Sequence, residues 1–178
     1  FRFVETELDG HETTISITGY TGEDGFEIFT NYKGLFMKLL EAGKEFGIKP
    51  CGLGARDSLR LEKCMPLAGN ELEGSTPLEA NMEWAVDWNH EFIGKSALRR
   101  DVGELLVPML LEEKGVPRHG YAVTKGGRRI GTVTSGGFSP VIERGIALGY
   151  VEKKEAVEGN EVGVDVRGKE LKARIIKG

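Results

Sequence analysis

The sequence predicts an α+β fold, in which an antiparallel sheet with helices precedes a small antiparallel β-barrel. Up to about residue 100, strand-like segments alternate with segments whose apolar residues recur at helical spacing. Beyond that point nearly every segment is strand-like, and glycines fall between the segments. The change in composition over residues 101–104 predicts two domains, residues 1–102 and residues 103–178.

The first predicted domain opens with two strands within residues 1–17, joined by a hairpin at Asp9-Gly10. Helical spacing of apolar residues predicts a long helix after the third strand. Two tryptophans, Trp84 and Trp88, would share one side of a later strand, where core packing is favoured over ligand stacking. The remaining elements are a strand over residues 26–30, helices over residues 33–46, 57–63, 77–81 and 92–99, and a strand over residues 82–88.

The second predicted domain contains six strand-like segments, which together indicate a small barrel. They cover residues 105–113, 121–125, 128–136, 145–151, 161–166 and 170–176. Short pairs of turn-forming residues separate several of them and predict tight hairpins. These pairs are Gly126-Gly127, Gly136-Gly137, Gly159-Asn160 and Arg167-Gly168, and residues 135–140 are expected to form an irregular loop.

Composition excludes several classes of function. The chain has 178 residues, of which 39% are hydrophobic and 29% charged, and its net charge is −4, which argues against a nucleic-acid partner. It has no apolar run of membrane-span length, so we expect neither a signal peptide nor a membrane partner. Cys51 and Cys64 do not form a metal-binding motif, so no metal site is expected and both are interpreted as reduced, buried thiols.

The stretch TGYTGEDGFEIF, residues 18–29, is the first candidate site. Three glycines punctuate a polar segment that lies between two strand-like segments, which predicts a shaped hairpin loop. Tyr20 and Glu27 are the two residues on this loop that we expect to contact a ligand. The alternative is a plain turn between strands with no ligand.

The stretch PCGLGARDSLRLE, residues 50–62, is the second candidate site. A glycine-rich turn leads into a helical pattern, and Arg56 falls in the first helical turn. We expect Arg56 to point from this fixed position toward the ligand that Glu27 faces. The alternative is an ordinary helix whose Arg56 is solvated.

Together with PLAGNELEGSTPLEANMEWAV, FIGKSAL, RIGTVTSGGFSP and IALGYV, these motifs make the chain resemble the aminomethyltransferase (T-protein) family of the glycine cleavage system. The resemblance covers nearly the whole chain but only about the C-terminal half of a family member. It therefore implies that residues 1–102 are the C-terminal part of the folate-binding domain, and that the barrel follows it.

The resemblance also implies an activity and its partners. T-proteins transfer the methylene unit of a lipoyl-bound aminomethyl group to tetrahydrofolate, which acts as co-substrate, and they release ammonia. The implied partners are the lipoylated H-protein, folate and the N-terminal half of the same protein. The implied location is the cytoplasm, or the mitochondrion in a eukaryote.

Residue chemistry agrees with the resemblance, which places tetrahydrofolate contacts at Glu27 and Arg56. A carboxylate such as Glu27 can accept hydrogen bonds from the 2-amino group and the neighbouring ring N–H of a pterin. The planar guanidinium of Arg56 can donate two parallel hydrogen bonds to a carbonyl oxygen or to Glu27 itself. The ring of Tyr20 offers a flat face for stacking.

No catalytic residue is assigned within this chain. The resemblance places the essential aspartate before its first residue, so the chain alone is expected to be inactive. Two alternatives stay open: the folate domain of a dimethylglycine or sarcosine oxidoreductase, and a structural or interaction module without catalysis.

Overall fold

The computed structural model describes residues 2–178. Its contacts divide the chain into two compact units that meet in the sequence between Arg60 and Leu61. The first unit contains a small antiparallel sheet with helices and the second contains a closed barrel, so the predicted α+β fold is confirmed. The domain limits predicted at residues 102 and 103 stay a prediction.

The sheet of the first unit has three antiparallel strands in the order β1-β2-β3. Asp9 and Gly10 join the first two, with φ angles of 50° and 77°, in the left-handed region that tight hairpin turns require. The predicted hairpin is therefore present. The strands are β1 (Phe3–Leu8), β2 (His11–Ser16) and β3 (Glu27–Thr30).

Two helices follow the sheet. The first is shorter than the sequence predicts, because Gly43 ends its α-helical part and the chain continues as a 3₁₀ turn that Gly47 closes at φ 72°. The second begins earlier than predicted. Their bounds are α1 (Leu35–Ala42), the 3₁₀ helix Lys44–Phe46, and α2 (Leu53–Glu62).

Large apolar side chains of the first unit are exposed in unusual number. Phe46 and Leu53 are more than four-fifths exposed, and Phe26 is 69% exposed. Large exposed apolar side chains in such number, where they form a patch, mark a contact surface for another polypeptide or a ligand. The exposed set in this unit is Phe3, Val4, Ile17, Phe26, Phe29, Phe36, Met37, Leu39, Phe46, Ile48 and Leu53.

The second unit is built on a closed six-stranded barrel with the strand order β4-β7-β6-β5-β8-β9. Closure pairs every strand on both sides and leaves no exposed sheet edge. The six predicted strands are all present. Their bounds are β4 (Glu104–Leu111), β5 (Ala122–Lys125), β6 (Arg128–Ser139), β7 (Arg144–Glu152), β8 (Glu161–Val166) and β9 (Lys169–Ile175).

Two apolar clusters stabilise this unit. The larger one fills the barrel with fully buried side chains such as Met109, Val133 and Val164. The smaller one packs Leu61 and Ala80 with β4 and β7 residues, and the backbone N–H of Leu106 donates to the carbonyl of Glu79 at 2.8 Å. The segment that precedes the barrel is thus attached to two of its strands by both packing and hydrogen bonding.

The turn predicted at Gly136-Gly137 and the irregular loop predicted over residues 135–140 are wrong, because β6 continues through them to Ser139. A Cβ atom on Gly136 would lie 2.6 Å from the carbonyl oxygen of Pro117. Glycine is needed here because two backbone segments approach closely, and not because the chain turns.

The strand predicted over residues 82–88 and the helix predicted over residues 77–81 are also wrong. Residues 77–81 form turns, and the short 3₁₀ helix Glu83–Ala85 follows. The N–H of Met82 donates to the carbonyl of Pro77 at 2.7 Å, so the backbone is satisfied locally rather than in a ladder. Trp84 is consequently 81% exposed, and the expected core packing of both tryptophans is not found. The last predicted helix is present as α3 (Lys95–Leu98).

Substitution of Gly136 should test the close approach. Gly136→Ala should lower the free energy of unfolding by about 1–3 kcal/mol, because backbone must move to admit the methyl group. Gly137→Ala is the matched control, since the nearest atom to its Cβ would be a Leu61 methyl at 3.6 Å. Urea unfolding of the two variants measures the difference. Equal stability of the two would contradict this explanation of the glycine.

A surface ion pair predicts a pH dependence. Arg128 on β6 donates through both terminal nitrogens to Glu152 at the end of β7, and this contact, followed by Lys154, lowers the pKa of Glu152 from 4.5 to about 2. A depressed carboxyl pKa adds stability above pH 4.5, and that stability is lost as the pH falls toward 2. Glu152→Gln should therefore lower the melting temperature at pH 6 and have a much smaller effect near pH 2.

The control for this experiment is Glu158→Gln, an exposed glutamate for which the described part of the chain provides no ion pair. The Arg128–Glu152 ion pair lies at the surface, so the shift in melting temperature at pH 6 should be small. Thermal unfolding at several pH values measures it. A Glu152→Gln difference that stays constant between pH 6 and pH 2 would contradict the assignment.

Candidate functional site

The glycine-rich loop connects β2 to β3 in the first unit. Ser16 at the end of β2 is the register partner of Glu27 at the start of β3, so the strand pairing closes the base of the loop. Gly22 has a φ angle of 71°, which a residue with a side chain rarely adopts. The loop is therefore held at both ends by the sheet and shaped by glycine at its tip.

Glu27 lies at the base of this loop with its carboxylate exposed. Its Oε2 atom accepts a hydrogen bond from the Oγ1 hydroxyl of Thr18, which follows β2. The Oγ1 of Thr18 also lies 3.0 Å from the Oγ of Ser16. Thr18, just after β2, thus holds one oxygen of the carboxylate, while the other oxygen is an acceptor for a ligand.

Arg56 lies in the first turn of α2, where the sequence predicted it. Its backbone N–H donates to the carbonyl of Gly52 at 3.2 Å, which begins the helix. Its guanidinium carbon lies 4.5 Å from the centroid of the Tyr20 ring, within the range of a cation–π contact. The structure therefore brings together two of the three predicted site residues, one from the loop and one from the helix.

Glu27 belongs to the same loop as Tyr20 but is held by Thr18 rather than by the stacked pair. The loop and the start of α2 therefore offer two kinds of recognition. A carboxylate can accept N–H groups, and a guanidinium fixed over an aromatic ring can donate to oxygen in a defined direction.

Arg60, one turn further along α2, is a feature that the sequence analysis missed. Its side chain is only 1% exposed, and its Nε and Nη2 atoms lie 2.8 and 2.7 Å from the Oδ1 of Asp57. A buried guanidinium requires such a carboxylate partner. The spacing of three residues between Asp57 and Arg60 was the available sequence signal, since that spacing allows contact on a helix.

The second unit contains a surface pocket of about 330 Å³ next to Cys64, Met82, Trp84 and Leu106. Burial raises the pKa of the Cys64 thiol. Cys51 is exposed, so the expectation of two buried thiols is wrong for that residue, and both cysteines are free of disulfides. Among residues 2–178, no group of three or more acidic, histidine or cysteine side chains is placed so that it could bind a metal ion.

Comparison with known protein families places these features in context. Residues 1–90 match the family model of the GCVT N-terminal domain, and residues 105–178 match that of the glycine cleavage T-protein C-terminal barrel domain. The chain belongs to the glycine cleavage T-protein family. Within residues 2–178, no helix is long and apolar enough to cross a membrane.

Several members of the T-protein family are similar to this chain. It is 50% identical to an aminomethyltransferase of Aquifex aeolicus, with 93% of this chain and 47% of the relative covered. It is 47% identical to an aminomethyltransferase of Thermoanaerobacter pseudethanolicus, with 96% of this chain and 49% of the relative covered. The chain therefore spans about half the length of these relatives.

A solved member of the T-protein family has the same fold. The crystal structure of glycine cleavage system aminomethyltransferase T from Bartonella henselae superposes with a TM-score of 0.84 at 36% sequence identity. The match covers 93% of this chain and 48% of that protein.

The contact between Arg56 and Tyr20 can be tested without a ligand. The ring current of Tyr20 should shift the Nε–Hε resonance of Arg56 in an NMR spectrum, because the guanidinium lies over the ring. Tyr20→Phe should keep this shift and Tyr20→Leu should abolish it, while the resonance of Arg60 stays in place. An Arg56 resonance that Tyr20→Leu leaves unchanged would contradict the stacked geometry.

Proposed function

We propose that this chain forms the folate-binding part of an aminomethyltransferase. The proposed reaction transfers the methylene unit of a lipoyl-bound aminomethyl group to tetrahydrofolate and releases ammonia. The observation that carries the proposal is the contact between the Arg56 guanidinium and the ring of Tyr20. Tyr20 lies on the loop whose base presents the Glu27 carboxylate. Membership of the T-protein family supports it.

The chemistry of a reduced pterin suits this pair of charges. Its pyrimidine edge presents a 2-amino group beside a ring N–H, and a single carboxylate can accept both in a bidentate geometry. The neighbouring carbonyl oxygen is an acceptor and suits the guanidinium. We assign the N–H edge to Glu27 and the carbonyl oxygen to Arg56, with Tyr20 fixing the plane of Arg56.

The proposed contribution of these residues to the reaction is binding and orientation. Glu27 and Arg56 would fix the pterin in its plane, so that its reacting amine faces the aminomethyl carbon. Alignment of two reactants contributes a large part of many enzymatic rate enhancements, and a misplacement of about 1 Å can lower the rate on the order of a hundredfold. We assign no proton transfer to the described residues, and the family resemblance places the essential aspartate elsewhere in the polypeptide.

The proposed partners are the lipoylated H-protein and the remaining half of the polypeptide that the relatives possess. The first unit exposes large apolar side chains, among them Phe26, Phe46 and Leu53. Their exposure supports the proposal that a further polypeptide segment packs against that unit. We expect these 178 residues alone to bind tetrahydrofolate weakly and to release no ammonia from the aminomethylated partner.

Glu27→Gln tests the carboxylate assignment. In the complete gene product it should weaken tetrahydrofolate binding by about 1–3 kcal/mol, because an amide cannot accept both N–H groups and loses the charge assistance. Isothermal titration calorimetry measures the change. Asp24→Asn, an exposed acid at the tip of the same loop, is the control and should bind normally. Unchanged affinity of Glu27→Gln would remove Glu27 from the site.

Arg56→Lys tests the geometry of the guanidinium. Lysine keeps the positive charge but lacks the planar pair of donors, so Arg56→Lys should weaken tetrahydrofolate binding nearly as much as Arg56→Ala. The same titration compares the two variants with the unmodified protein. If lysine restores full affinity, Arg56 acts as a point charge or lies outside the site.

A further inference from the structure

Thr18 makes the contact on which this inference is based. Its Oγ1 atom lies within hydrogen-bonding distance of Glu27 Oε2 and 3.0 Å from Ser16 Oγ. The three side chains are thus connected in a row at the closed end of the hairpin loop. Because Ser16 and Glu27 are register partners, the row crosses directly from β2 to β3.

The direction of the two hydrogen bonds follows from the number of protons. Thr18 has one hydroxyl proton, and an ionised carboxylate can only accept. Thr18 therefore donates to Glu27, and Ser16 is left to donate to Thr18. A hydroxyl that donates to a carboxylate forms a charge-assisted bond, which is shorter and stronger than one between neutral groups.

This row restricts the Glu27 carboxylate. A glutamate side chain has several rotatable bonds, and an exposed one samples many rotamers unless a partner holds it. The Thr18 hydroxyl holds Oε2, which restricts the rotamers of the side chain and leaves Oε1 and the second lone pair of Oε2 as acceptors for a ligand. The ligand then meets a carboxylate that is already oriented, which lowers the entropy lost on binding.

We propose that Thr18 is a positioning residue that orients the Glu27 carboxylate for the N–H edge of the folate ring. The inference rests on the proposed function, because it assumes that Glu27 binds the pterin. Thr18 itself does not touch the ligand in this proposal. Its effect on binding therefore passes entirely through Glu27.

The experiment is a double-mutant cycle on the complete gene product with tetrahydrofolate as the probe. Thr18→Val replaces the hydroxyl by a methyl group of similar size and should weaken binding about three- to tenfold. Thr18→Ser restores the hydroxyl and should bind within about twofold of the unmodified protein. Thr14 lies on the same face of β2 as Ser16. Thr14→Val is therefore the matched control, and this variant should bind tetrahydrofolate normally.

The decisive comparison uses the Glu27→Gln background. If Thr18 acts through Glu27, Thr18→Val should change affinity by less than about twofold once the carboxylate is gone. An equal loss in both backgrounds would overturn the proposal, and so would a Thr18→Ser variant as weak as Thr18→Val. Either result would show that Thr18 does not act on folate binding through the Glu27 carboxylate. Thermal unfolding of each variant verifies folding, and Thr18→Ala provides a second hydroxyl-free variant.

Failure of the two proposals can be distinguished. If Glu27→Gln binds tetrahydrofolate normally, the proposed function loses its carboxylate and the inference on Thr18 is overturned with it. If Glu27→Gln weakens binding but Thr18→Val does not, only the positioning role is overturned.

Discussion

The contact between Arg56 and Tyr20 is the constraint on which the candidate site depends. A guanidinium at the start of α2 and an aromatic ring on the loop between β2 and β3 lie 4.5 Å apart, and this connects elements that are far apart in the sequence. A cation–π contact contributes only about 0.5–1 kcal/mol at an exposed position, so its importance is geometric rather than energetic. It holds the guanidinium over the ring, and directional donors are useful only when their position is fixed.

The sequence predicted most of the fold where local patterns and closure agreed. All six barrel strands were predicted, because alternating apolar residues and tight turns specify both the strands and their pairing. Prediction was wrong where one residue type has two uses. A glycine pair such as Gly136-Gly137 is typical of a turn, but Gly136 is needed for the close approach of a neighbouring backbone segment. Only the tertiary structure reveals that neighbour.

The candidate site was predicted to a similar extent. Residue types and spacing were sufficient to select Tyr20, Glu27 and Arg56, but they did not reveal which of them are in contact. The sequence assigned the ring of Tyr20 to a ligand, whereas one face of that ring contacts Arg56. The role of Thr18 was not predicted either, because its contact to Glu27 depends on strand register and not on sequence distance.

The most direct test of the account is a crystal structure of the complete gene product with tetrahydrofolate bound. The account predicts both carboxylate oxygens of Glu27 within about 3 Å of the 2-amino group and the adjacent ring N–H. It also predicts the guanidinium of Arg56 still stacked on Tyr20 and within hydrogen-bonding distance of the ring carbonyl. A bound folate whose ring lies away from both Glu27 and Arg56 would contradict the account.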